Sequence, residues 1–228
     1  MEVRRLSLLE GAKKAQGLCV VIDVFRAFTT AAVALAQGAE AVVPVATVEE
    51  ALRLRGENPG WLVMGERGGV KVSGFDYGNS PAELLGLDLS GRTLIQTTSA
   101  GTQGLYAAAQ CHEVLAGAFV TAEATVEYIQ GRRPRCVSLV AMGWGGVEPS
   151  PEDESLVDYL EQRLGGLRPD FAEMERRIRA HPQGAKFFDP HQPHFTEADY
   201  HLAMDLDRYS FCLRLERGNP PRLMAITP

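Results

Sequence analysis

The sequence predicts an α/β fold built around a largely parallel or mixed sheet. Three observations carry that expectation. Short apolar runs alternate with helix-length segments along most of the chain, the spacing expected when crossover helices cover a parallel sheet. Several of these runs end abruptly in glycine, hydroxyl or acidic residues, as strands do where they deliver a loop to a sheet edge. The last stretch changes pattern: two apolar runs flank Arg217-Gly218-Asn219-Pro220-Pro221 as a hairpin, which would make the sheet mixed. At 228 residues, 45% hydrophobic and 23% charged, the composition is that of one globular domain spanning 1–228.

In chain order, residues 2–6 predict an edge strand, and 18–23 form a continuous β-branched run of the kind buried on both faces. An alanine-rich helix follows over 30–37, closed by Gly38. Residues 41–45 give the next strand, and Thr47 caps a helix over 48–55 whose Glu49 and Glu50 suit the N-terminal turn. Asn58-Pro59-Gly60 turns the chain into the strand 61–64 and the long loop 65–81. Ser80 and Pro81 open a short helix over 81–85. A strand over 93–96 leads into a helix over 103–109, and strands at 113–116 and 136–141 flank a helix over 122–130. Further helices are expected over 155–164, 171–179 and 196–204, the last with Thr196 as its N-cap, and 180–194, rich in proline and histidine, is expected to loop over the surface or across the site.

Several functions are excluded by composition. A net charge of −6 invites neither nucleic acid nor an anionic membrane surface. Four cysteines, Cys19, Cys111, Cys136 and Cys212, lie far apart beside apolar segments, as expected for buried thiols in a reducing cytoplasm. No secretory signal is expected at the N-terminus, where Glu2, Arg4 and Arg5 interrupt any apolar stretch, and no run is long enough to span a bilayer. His181, His191, His194 and His201 match no zinc spacing.

The chemistry gathers at strand ends. The loop 65–81 holds five glycines, the carboxylates Glu66 and Asp76, the cations Arg67 and Lys71, and the Asn79 amide, while Val70, Phe75 and Tyr77 argue for an ordered loop. Asp23 ends a buried strand and Arg26 follows it at a helix start. Thr97, Thr98, Ser99, Gly101 and Thr102 present hydroxyls and free N–H groups at another strand-to-helix junction, without the lysine or glycine spacing of a P-loop. Gly143-Trp144-Gly145-Gly146 ends a further strand ahead of Pro151-Glu152-Asp153-Glu154. Each alone is ordinary capping chemistry; convergence would make them a site.

Together the motifs resemble the ComB family, the 2-phosphosulfolactate phosphatases of coenzyme M biosynthesis. The resemblance rests on Asp23-Val24-Phe25-Arg26-Ala27-Phe28-Thr29-Thr30, on Gly65-Glu66-Arg67-Gly68-Gly69 through Gly74-Phe75-Asp76-Tyr77-Gly78-Asn79-Ser80-Pro81, on 97–102, on Glu152-Asp153, and on the later Asp199 and Leu206-Asp207-Arg208-Tyr209. Ala100 stands where the family often has asparagine, so an amide donor is missing from the anion loop. The resemblance implies a magnesium-dependent phosphatase of a small anionic phosphorylated 2-hydroxy acid, in a three-layer α/β/α fold. On that basis Asp23, Glu66, Asp76 and Asp153 are the expected magnesium ligands, and Asp23, Arg26, Glu66, Arg67 and Asp76 the catalytic set. Arg26, Arg67 and the loop 97–102 would bind the phosphate, and Lys71, Asn79 or Ser80 the carboxylate or sulfonate end. Attack by water and attack by Asp23 itself both remain open, since the Asp-x-Asp pattern of haloacid-dehalogenase-like phosphatases is absent. Two other readings stand beside this one: a non-catalytic binder of a phosphorylated or sulfonated metabolite, and a phosphatase for a different small acid. A homodimer is expected only because soluble enzymes are so often homo-oligomers.

Overall fold

The structure, a computed structural model, describes residues 1–228. The strands are β1 (Glu2–Ser7), β2 (Leu18–Ile22), β3 (Ala41–Pro44), β4 (Leu62–Arg67), β5 (Val70–Lys71), β6 (Thr93–Thr97), β7 (Glu113–Gly117), β8 (Cys136–Ala141), β9 (Cys212–Glu216) and β10 (Arg222–Ile226). The helices are α1 (Leu8–Ala12), α2 (Ala27–Ala36), α3 (Val48–Glu57), α4 (Pro81–Leu84), α5 (Gly101–Ala107), α6 (Ala122–Arg132), α7 (Pro151–Leu164), α8 (Phe171–Ala180), α9 (Pro182–Ala185) and α10 (Glu197–Ala203), with 3-10 turns at Phe119–Thr121 and Lys186–Phe188.

All ten strands form one sheet in the order β1-β8-β2-β7-β9-β10-β3-β6-β4-β5. Two parallel blocks, β1-β8-β2-β7 and β3-β6-β4, are joined by the β9–β10 hairpin, which pairs antiparallel with β7 on one side and with β3 on the other. Three successive antiparallel pairings make the two blocks run in opposite senses within the sheet. Twist brings their ends back together: at about 20–25° per strand, the five or six steps from β2 to β6 and β4 swing the second block through roughly 100–150°. The carboxyl ends of β2 and β4 can therefore face one cleft, and Arg26 behind β2 does donate to the carbonyl of Gly69 behind β4 at 3.0 Å.

The strand at the middle of the first block explains the layers. Every residue of β2 is buried, with Cys19 and Val21 entering a core beneath α1, α2 and α5, and Leu18, Val20 and Ile22 entering another beneath α6, α7, α8 and α10. A third, smaller core seats α3 on β3, β4 and β6 through Ala51, Leu54, Val43, Val63 and Ile95. Helices thus cover both faces, which is why β2 shows no polar alternation. No helix is long and apolar enough to cross a membrane.

Local differences from the sequence expectation have local causes. The helix expected from residue 30 starts at Ala27, because the Asp23 carboxylate accepts the Ala27 N–H at 3.1 Å and Thr29 donates to the Val24 carbonyl at 2.9 Å. The helix expected from residue 103 starts at Gly101, where Thr98 Oγ1 accepts the Thr102 N–H at 3.1 Å. The expected loop 180–194 contains α9 and a 3-10 turn, held by Phe187 against Phe25 and Tyr200. Helix α1 was not foreseen.

Candidate active site

A cleft of about 140 Å³ opens where β2, β4, β6 and β8 end. Five of the residues singled out by sequence line it: Asp23, Arg26, Glu66, Asn79 and Ser99. Ala100, Gly143, Trp144 and Phe195 complete much of the wall. A larger groove, about 1260 Å³, lies elsewhere among Arg132, Arg135, Arg214 and Arg217 and contains none of the candidate residues.

Glu66 is fixed by its own loop and by the junction after β6. One carboxylate oxygen accepts the Ser99 N–H at 2.6 Å, and the other accepts the Gly69 N–H at 2.6 Å and the Ser99 hydroxyl at 3.1 Å. Gly69 has φ of +83°, and a Cβ there would overlap the Phe195 ring, so glycine is required on both counts. Asp23 sits against Gly101, where a Cβ would come within 2.8 Å of its Oδ2 and 2.9 Å of the Ala27 Cβ. Burial pushes Asp23 up to about 6, opposed by the N–H groups of Ala27 and Gly101 and assisted by the negative charge of Glu66.

Behind Asp23 stand two more acids from the start of α7. Asp153 is buried and accepts the N–H groups of Val24 and Gly143, each at 2.8 Å, so it ties the ends of β2 and β8 together. Burial, then the charges of Glu152 and Asp23, raises its pKa well above the carboxylate range. Glu152 is pushed up to about 7, chiefly by burial, and its Oε2 finds no hydrogen-bond donor. Facing these acids is Lys186, which burial lowers to about 8 against the attraction of Glu152.

Arg26 is committed on several sides. It donates to Asp199 Oδ2 at 2.7 Å, to the His194 carbonyl at 2.9 Å and to Gly69, and its guanidinium lies 5.0 Å from the centre of the Phe195 ring. Asp199 is fully buried and also accepts the Ser80 hydroxyl at 2.7 Å and the Ala82 N–H at 3.1 Å. The C-terminal segment is thereby clamped over the cleft.

The other sequence candidates lie outside the cleft lining. Asp76, expected as a metal ligand and catalytic acid, instead pairs with Arg55 at 3.0 Å and accepts the Val63 N–H at 2.8 Å, because the second half of its loop folds back along β4. Lys71 is exposed and donates to the Asp76 carbonyl at 2.7 Å. Ser80 caps α4 and serves Asp199, while Thr98 and Thr102 bond each other at the start of α5. Arg67 is exposed; it donates to Thr97 Oγ1 at 2.8 Å and to the Glu66 carbonyl at 2.7 Å. Asp153, also expected as a ligand, stands behind the lining and bonds the Val24 and Gly143 N–H groups. Lys186, Trp144 and Phe195 were not foreseen as site residues. Lys186 had a faint signal, a single cation inside Gly184-Ala185-Lys186-Phe187-Phe188, where a solvated lysine has no reason to sit among aromatics.

No three Asp, Glu, His or Cys side chains converge as a closed metal cluster. The donor set nevertheless fits magnesium, which takes one or two carboxylates and completes its octahedron with water and phosphate oxygens. Four buried carboxylates face a single unpaired lysine, and the Glu152 oxygen without a partner is the kind of acceptor a cation would satisfy.

The cleft is acid-rich and lies at the strand ends of an α/β sheet, with the N–H groups of Ala27, Gly69 and Ser99 donating to its carboxylates. The family follows from comparison. The family model described as 2-phosphosulpholactate phosphatase matches residues 5–181, and the chain belongs to that family. A protein of Bacillus subtilis named "probable 2-phosphosulfolactate phosphatase" is 32% identical over 184 residues, 79% of this chain and 78% of that protein. Proteins given the same name in Carboxydothermus hydrogenoformans and Thermotoga petrophila are 44% and 42% identical over 130 and 145 residues, or 57% and 64% of this chain. These two matches span 54% and 61% of the relatives' own lengths.

Proposed function

We propose that this chain is a magnesium-dependent phosphatase that hydrolyses the phosphate monoester of a small 2-hydroxy acid, with 2-phosphosulfolactate as the substrate and sulfolactate and phosphate as the products. The observation that carries the reading is the meeting of Asp23 and Glu66, from opposite blocks of the sheet, in one cleft backed by two further buried acids. An anion binder has no use for four carboxylates beside its ligand unless a cation intervenes. Asp23 and Glu66, with Glu152 behind them, would hold magnesium. Once bound, the ion would neutralise charge on the phosphoryl oxygens.

The chain's own groups do the positioning. The Gly69 and Ser99 N–H groups fix the Glu66 carboxylate, and those of Ala27 and Gly101 fix Asp23, so neither has to reorganise as charge develops. Arg26 lines the cleft, and the guanidinium donors not spent on Asp199, His194 and Gly69 suit a phosphoryl oxygen. Water attacks phosphorus, the ester P–O bond breaks, and the alcohol oxygen leaves with a proton. Phosphate trapped covalently on Asp23 would replace this route with a two-step one.

The test is phosphate release from a panel that includes 2-phosphosulfolactate and 2-phospholactate, with magnesium and with chelator. Release is expected only with magnesium, and D23N and E66Q are each expected to lower kcat by about 10²-fold or more while circular dichroism stays native. A well-folded wild-type chain that released nothing from any member would overturn the reading in favour of a binding protein.

A further inference from the structure

Two of the three groups expected from sequence to hold the acid end of the substrate are occupied elsewhere, and the third, Asn79, lines the cleft but carries no charge to meet an acid group. Lys71 is exposed and bonded to the Asp76 carbonyl, and Ser80 donates to Asp199. Of the two arginines expected at the phosphate, Arg26 has its charge balanced by Asp199, and Arg67 is exposed at the end of β4. One buried cation beside the cleft has no carboxylate within ion-pair distance: Lys186, only 9% exposed.

The Lys186 ammonium lies 4.1 Å from the centre of the Trp144 ring and 4.4 Å from that of Phe195, and both rings line the cleft. It donates one hydrogen bond, to Gln183 Oε1 at 2.6 Å, and an ammonium has three N–H groups to satisfy. Unfilled donors on a buried charge are costly, and an arriving anion would remove that cost. The charges acting on it are those of Glu152, Asp23 and Glu66, with Arg26 opposing, so it belongs electrostatically to the cleft. It also lies past residue 181, where the family match ends.

We propose that Lys186 is the substrate-binding cation that receives the carboxylate or sulfonate carried beside the phosphate ester, with Trp144 and Phe195 flanking the carbon skeleton. This rests on the phosphatase reading above. A singly charged ammonium between two apolar faces matches a singly charged acid group, whereas the phosphate dianion matches the acid-and-cation side around Asp23 and Glu66.

The experiment compares two esters that differ only in the acid group, 2-phospholactate and isopropyl phosphate, on wild type, K186M and K186R. K186M is expected to lower kcat/KM for 2-phospholactate by about 10- to 100-fold, mostly through KM, the scale of a hydrogen bond to a charged group. Isopropyl phosphate should change by no more than about twofold, and K186R should recover part of the loss. Equal losses on both esters, or no loss on either, would overturn the proposal. If K186M does not fold by near-ultraviolet circular dichroism, K186Q takes its place under the same criteria. Should wild type hydrolyse neither ester, the phosphatase reading fails, and calorimetry then decides Lys186 on its own terms. Sulfolactate binding weakened at least tenfold by K186M, with inorganic phosphate binding unaltered, would uphold the acid-group role, and equal binding by wild type and variant would end it.

Discussion

At the scale of single residues, Glu152 sets a measurable balance. Its pKa is pushed up to about 7 by burial from an ordinary 4.5, so the folded chain holds a proton that the unfolded chain has released. Its contribution to stability is complete below about pH 4.5 and is lost as the pH rises through about 7. Asp23, raised to about 6, and Asp153 act in the same direction. In chelator, Tm should therefore be higher at pH 5 than at pH 8. E152Q should raise Tm at pH 8 by a few degrees and leave it almost unchanged at pH 5, and magnesium at pH 8 should stabilise wild type more than the variant. A fall in Tm for E152Q at pH 8 would contradict this account. Which acids would be buried was only partly legible in the sequence. Asp23, at the end of a wholly apolar run, could be placed at a strand end, but Asp76 looked equivalent until Arg55, on a helix 21 residues upstream, claimed it. Lys186 escaped notice because its neighbours in the cleft, Trp144 and Phe195, are distant or loop-borne in sequence.

Among the elements, the bond between the start of α2 and α10 governs how the cleft is closed. Arg26 is 4% exposed and Asp199 fully buried, so removing either leaves a charge without its partner in a dry site. D199A should destabilise the chain by about 3–5 kcal/mol in urea unfolding, and R26M combined with D199A should lose less than D199A alone. If the double variant were the less stable of the two, the pair would not be acting through compensated charge. Capping at this scale was readable in advance. Thr47, Ser80 and Thr196 each accept the N–H three residues on, at 3.1, 3.3 and 3.3 Å, because a hydroxyl before a helix-forming run has few better partners. The loop 65–81 reaches the cleft through its first residues and again at Asn79, but not through its middle. Glu66, Gly68 and Gly69 line the cleft, but the turn at Gly74 sends Asp76 and Tyr77 back to pair with Val63 and Met64.

Across the whole molecule, the C-terminal segment is structural as well as local. It supplies Lys186, Phe195 and Asp199 to the cleft, and β9 and β10 occupy the middle of the sheet between β7 and β3. A chain ending at His181, the limit of the family match, should lack cooperative thermal unfolding and bind a hydrophobic dye, although it keeps both parallel blocks. A sharp native-like melt from that fragment would refute the bridging role of the hairpin. The α/β class was legible because alternating runs and helices are local patterns. Strand order was not, because nothing in 212–216 or 222–226 says which edges they will join.

The hairpin's position also orders events during synthesis. Each parallel block leaves the ribosome with an edge that the hairpin will later cover, β7 in the first and β3 in the second, and their only bridge is translated after both. Until it arrives, two unpaired, largely apolar edges coexist on one nascent chain, a state that invites pairing with neighbouring chains. Arrest of translation between β8 and β9 should therefore hold a chaperone-dependent, aggregation-prone species that becomes protease-resistant only once residues 212–226 emerge.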